Sequence, residues 1–139
     1  MSNLRVALQR PLTLAFAVSI ALAGLQALAQ TQLPLMQEKG AVQYSCGGIG
    51  KDESTAMRAA MKVYPLSLLF AAKDGDYLAD VSVDIQSGQG STQFTANGPV
   101  CLVKLPAGAY KVTATTKDGQ SQSKSVQTGK SGHSLDFRF

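Results

Sequence analysis

The sequence predicts a mainly β protein, an antiparallel β-sandwich of about seven short strands with one short helix. Three observations carry that prediction. After Pro65, apolar and polar residues alternate in short runs, as half-buried strands require. Turn signals built from Gly, Asn, Asp and Pro separate those runs at regular intervals. Only one segment, "DESTAMRAAMK", repeats its apolar residues at helical spacing.

The chain opens with "MSNLRVALQRPLTLAFAVSIALAGLQALAQ", which has the order of a cleaved secretory signal. Arg5 and Arg10 form a basic start, Leu12 to Leu25 an apolar run, and Ala27 and Ala29 the small residues before a cut at Gln30. The apolar run falls short of the ~20 residues a membrane span needs. The residue directly after the cut is Gln30, not a cysteine, so a lipid anchor has no support. Residues 1–29 are therefore expected to direct export, to the periplasm or beyond the cell. The exported chain is expected to contain no transmembrane segment. Removing Arg5 and Arg10 lowers the formal charge from +4 to +2, since no acidic residue leaves with them. Without a basic stripe or basic–aromatic alternation, nucleic acid is not an expected partner.

Residues 30–40 read as a flexible polar leader and residues 41–139 as one sandwich domain. "AVQYSC" places Val42, Tyr44 and Cys46 on one strand face. The helix is expected from Asp52 to Val63, capped by Asp52 and ended before Pro65, with Met57 and Met61 on its apolar side. "LSLLFAA" and "YLADVSVDIQ" flank "KDGD", the signature of an Asp-Gly hairpin. Along the second arm Ala79, Val81, Val83 and Ile85 face one way, and Asp80, Ser82, Asp84 and Gln86 the other. "TQFTA", "VCLVKL", "AYKVTATT", "QSQSKSVQT" and "HSLDFRF" supply the remaining strands. Cys101, Val103 and Leu105 share a face in the second of these. Two cysteines in an exported chain predict one disulfide, Cys46–Cys101; a pair of buried free thiols is the alternative.

The stretch from Gly98 to Gly129, with "LPAGAYKV" at its centre, resembles carboxypeptidase-regulatory-like domains, whose fold is transthyretin-like (prealbumin-like). The likeness covers roughly the last 65 residues, with "YLADVSVDIQ" upstream. The layout of "GGIG" and "DES" before a helix, followed by these strands, is also similar to a group of small exported proteins of Gram-negative bacteria. The resemblance implies a seven-stranded sandwich that acts as an accessory, with no catalytic motif to carry over.

"SCGGIGKDES" looks like a phosphate-binding loop but departs from one at two positions. Ser45 stands where the first Gly belongs, and Asp52 where a Ser or Thr would meet the metal. Gly47, Gly48 and Gly50 are better read as a strand-to-helix turn. His133 is the only histidine, and Ser134 beside it points to the other strand face, so no nucleophile–base pair forms. A catalytic zinc site wants three protein ligands, which the chain does not supply, and no cofactor is implied. Asp74, Asp76, Asp80 and Asp84 form the one acidic group, a candidate weak cation site beside the simpler reading of solvated turn and face residues.

These readings converge on a non-enzymatic periplasmic binding or scaffolding module. Its candidate binding element is the polar edge strand carrying Gln120, Gln122, Lys124 and Val126. The expected partner is an envelope protein or polymer, or a second copy paired into a homodimer through that edge. Two alternatives stay open. One is a small envelope hydrolase using Asp74 to Asp84. The other is a small outer-membrane barrel, suggested by Leu135, Phe137 and Phe139 at the end of the chain.

Overall fold

Alternation, turns and one amphipathic segment produce ten elements in the computed structural model, which describes residues 32–139. The expected signal, residues 1–29, lies outside the described residues. The elements are β1 (Gln37–Lys39), β2 (Val42–Gly47), α1 (Lys51–Ala60), β3 (Leu66–Ala71), β4 (Val81–Ser87), β5 (Gly90–Ala96), β6 (Val100–Lys104), β7 (Gly108–Thr115), β8 (Ser121–Thr128) and β9 (His133–Arg138). They form a five-stranded sheet, β1-β2-β6-β3-β9, and a four-stranded sheet, β5-β4-β7-β8. The two sheets make a β-sandwich of nine strands, not seven. All pairings are antiparallel except β3 with β9. Both sheets are open, so the described residues close no barrel, and the outer-membrane barrel reading is overturned.

The main core lies between the sheets. Leu66, Leu68, Phe70, Cys101, Val103 and Phe137 of one sheet meet Val81, Val83, Ile85, Phe94, Val112 and Ala114 of the other. Tyr44 stacks on Phe94 across the gap, with ring centroids 4.0 Å apart. The Cys46–Cys101 disulfide joins directly opposed residues of neighbouring strands β2 and β6, with Cα atoms 4.1 Å apart.

A second core lies on the outer face of the five-stranded sheet. Met57 of α1 is fully buried against Val100 and Leu102 of β6, with Leu33, Met61, Tyr64 and Leu69 around them. The central strands β3 and β6 are thus apolar on both faces, which explains why "VCLVKL" and "LSLLF" read as nearly unbroken apolar runs. Ser67 on the helix side of β3 is satisfied by donating to the Met61 carbonyl at 3.2 Å.

Four expectations need correction. The helix ends at Ala60, and residues 61–64 turn ahead of Pro65, because the residue before a proline avoids the helical region. Its N-cap is Gly50, and no side chain caps it, so Asp52 serves only as first-turn charge. Residues 32–40 belong to the domain: β1 pairs with β2, Leu33 joins the second core, and Ser45 Oγ donates to the Pro34 carbonyl at 2.8 Å. "KDGD" makes its local turn, with Ala72 N donating to the Asp76 carbonyl at 2.7 Å and a single bridge between Ala71 and Tyr77. Its arms pair only as far as Leu78, whose N–H donates to the Phe70 carbonyl at 3.1 Å, and the hairpin stops there. Asp80 adopts a positive φ of 57°, and the chain enters the other sheet, where β4 pairs with β5 and β7.

Candidate functional site

A sandwich of two open sheets exposes four edge strands, and what occupies each edge decides which can recruit another chain. β1 is three residues long. It carries Lys39, whose Nζ crosses to the facing sheet and donates to the Gln93 carbonyl of β5 at 2.6 Å. On the other side, Lys124 Nζ of β8 donates to the Asp136 carbonyl of β9 at 2.6 Å, and Gln122 Nε2 donates to the Arg138 carbonyl. Lys124 also sits 5.5 Å from the centroid of the Phe137 ring. Each open side of the sandwich is therefore bridged by a lysine, and the edge carbonyls used belong to β5 and β9.

β8 is the long edge whose own outward backbone makes no such bond among the described residues. It has eight residues, no proline, and hydrogen-bonds only β7 within its sheet. Which of its amides face outward follows from the turn before it. Thr116 N donates to the Gln120 carbonyl at 2.8 Å, which makes Thr116 and Gln120 a hydrogen-bonded pair. Alternation along the antiparallel ladder then pairs Gln122, Lys124, Val126 and Thr128 with β7 through their backbones. The N–H and C=O groups of Ser121, Ser123, Ser125 and Gln127 face away from the sheet. The close side-chain pairs agree with this: Thr113 Oγ1 to Ser123 Oγ is 2.7 Å and Thr115 Oγ1 to Ser121 Oγ is 3.0 Å, as expected of non-hydrogen-bonded positions.

The residues singled out from sequence therefore divide. Gln120 precedes the strand, where its backbone N–H donates to Thr116 Oγ1 and its side chain to Asp118 Oδ2, both at 3.0 Å. Gln122 and Lys124 point toward β9, and Val126 packs against the main core. The groups a partner strand would meet are the backbones of the intervening residues. Side-chain alternation alone does not show this; the pairing parity set by the "TKDGQ" turn does.

The four aspartates are not gathered. Asp74 Oδ1 accepts from Asp76 N at 3.0 Å within the turn. Asp80, ahead of β4, lies 3.9 Å from Lys117 Nζ. Asp84 is on the outer face of β4, where its Oδ2 accepts from Gln86 at 3.1 Å and its buried Oδ1 has no partner among the described residues. Among the described residues no group of three or more His, Cys, Asp or Glu is placed to hold a metal ion. The glycine-rich turn is occupied by its own helix: Gly48 N donates to Glu53 Oε1 at 2.7 Å, where a phosphate would need that donor. Gly48 and Gly50 take positive φ angles there, 94° and 86°.

Three groups are electrostatically displaced. The Thr116 and Gln120 side chains donate to Asp118 and hold its carboxyl below the ordinary value. Burial pushes the Tyr110 phenol up, while its hydroxyl donates to the Pro106 carbonyl at 2.7 Å and pins the "LPAGAY" corner. The Asp136 carboxylate, bonded to the Arg138 guanidinium at 2.9 and 3.0 Å, raises the arginine. Among the described residues no helix is long and apolar enough to cross a membrane. In comparisons with known proteins, no family model and no curated protein matches the chain.

Proposed function

We propose that this chain is a non-enzymatic, exported binding or scaffolding module, of the carboxypeptidase-regulatory-like type, that recruits its partner by strand addition along β8. The observation that carries the reading is the edge itself: eight residues, paired on one side, with four outward N–H and C=O pairs. The signal-like start and the Cys46–Cys101 disulfide support an oxidising compartment, the periplasm in the first instance. The resemblance around "LPAGAYKV" supports an accessory role, and the Tyr110 hydroxyl holding the Pro106 carbonyl gives that motif a structural purpose. The separate bonding of Asp74, Asp80 and Asp84 supports the module over the hydrolase alternative.

Affinity capture from envelope extract tests the reading when wild type is compared with Ser123→Pro. Proline at Ser123 removes an outward N–H and spares the bonds to β7. Proteins or polymers held by wild type and released by the variant are the expected result. Equal retention by both forms contradicts it, as does turnover of ester, peptide or glycan substrates that Asp80→Ala abolishes.

A further inference from the structure

The stretch of chain that carries β8 is rich in lysine and poor in carboxylates. From Gly108 to Leu135 the only Asp or Glu is Asp118, at the turn before the strand, and its carboxylate accepts from Thr116 and Gln120. The same stretch carries Lys111, Lys117, Lys124 and Lys130. Lys124 is engaged with β9. Lys117 approaches Asp80. Lys111 and Lys130 are exposed, and neither has a carboxylate within salt-bridge distance among the described residues.

Lys111 is opposite Ser125 in the β7–β8 register, beside one of the outward-facing backbone positions. It lines a shallow depression of about 550 Å3 with Gln86, Ser87, Ser125 and Gln127. A strand added to β8 would lay alternate side chains over that outer face, one of them beyond Ser125, where the long Lys111 side chain can reach across the small serine. Lys130 stands exposed two residues past the end of β8.

We infer that the occupant of the β8 edge is an extended, acidic polypeptide segment, with Asp or Glu side chains directed at Lys111 and Lys130. The inference rests on the strand-addition reading above and adds the partner's chemistry to it. Charge decides against a second copy of this chain. A two-fold pairing of β8 with itself would add Ser121, Ser123, Ser125 and Gln127 to that face, and none of them offers Lys111 a carboxylate. An acidic strand does, and encounter is steered by the local positive field.

Two capped octapeptides serve as probes, one alternating Thr and Glu, the other alternating Thr and Lys. Each is titrated into the nitrogen-labelled protein and followed by amide shifts. The Thr–Glu peptide is expected to move the amides of Ser121, Ser123, Ser125 and Gln127 and to lose affinity as salt is raised. Lys111→Glu, on an exposed face and without consequence for folding, is expected to weaken it about fivefold. Ser125→Pro is expected to abolish binding of either peptide. Equal binding of the two peptides at β8 overturns the acidic partner and leaves strand addition standing. Shifts elsewhere, or none with either peptide, overturn strand addition itself and this inference with it. Sedimentation of the protein alone as a dimer that Ser125→Pro dissolves makes the occupant a second copy and overturns the inference.

Discussion

Gly98 illustrates how one residue constrains two segments. A Cβ built on it would meet the Gly47 backbone, with Gly47 Cα at 2.6 Å, so the "NGP" turn and the end of β2 touch main chain to main chain. Gly98→Ala is expected to cost about 2 kcal/mol or more, read as a lower urea midpoint at unchanged slope. From sequence, Asn97-Gly98-Pro99 is legible as a turn; the close approach is not, because it depends on a partner 51 positions away. Asp118 gives a pH signature. Its carboxyl is held down in the folded state by Thr116 and Gln120, so its contribution is present above the ordinary carboxylate range and is lost as pH falls through the depressed value. Acid unfolding followed by circular dichroism should show a shallower fall in stability for Asp118→Asn than for wild type over that range. Asp118 was readable only as a turn residue, since its bonds come from how the turn closes.

At the scale of elements, α1 and the disulfide hold the five-stranded sheet from different directions. Met57 is the helix's fully buried contact with β6, and Met57→Ala is expected to destabilise by about 3 kcal/mol. Reducing the disulfide opens a link between residues 55 apart and is expected to remove about 4 kcal/mol in the chain-entropy model, measured by denaturant titration with and without reductant. The helix, its apolar side and the cysteine pair were legible because each rests on local periodicity or on composition. The "KDGD" hairpin extends only to Leu78, because an Asp-Gly turn specifies a reversal but not how far the second arm stays paired. β4 finds more apolar surface in the other sheet, where Val81, Val83 and Ile85 are all buried, and the positive φ at Asp80 takes the chain there. β1 escaped notice because three exposed polar residues carry no alternation signal.

For the whole molecule, the two lysine bridges span both open sides of the sandwich and leave the outward backbone of β8 unbonded among the described residues. Lys39 and Lys124 each leave one sheet for a backbone carbonyl of the other, an inward use of charge that guards edges against indiscriminate pairing. The double variant Lys39→Ala/Lys124→Ala is therefore expected to aggregate faster on storage by light scattering, with little change in circular dichroism. The sandwich class was legible from alternation and turn spacing. The bridges were not, since they join side chains to carbonyls in strands distant in sequence. Amide hydrogen exchange of the isolated protein measures the central claim, the openness of β8, most directly. The backbone parity predicts alternation along one strand: Gln122, Lys124, Val126 and Thr128 protected, Ser121, Ser123, Ser125 and Gln127 exchanging fast. Comparable protection of both sets would mean that the edge is already covered, and would contradict the account.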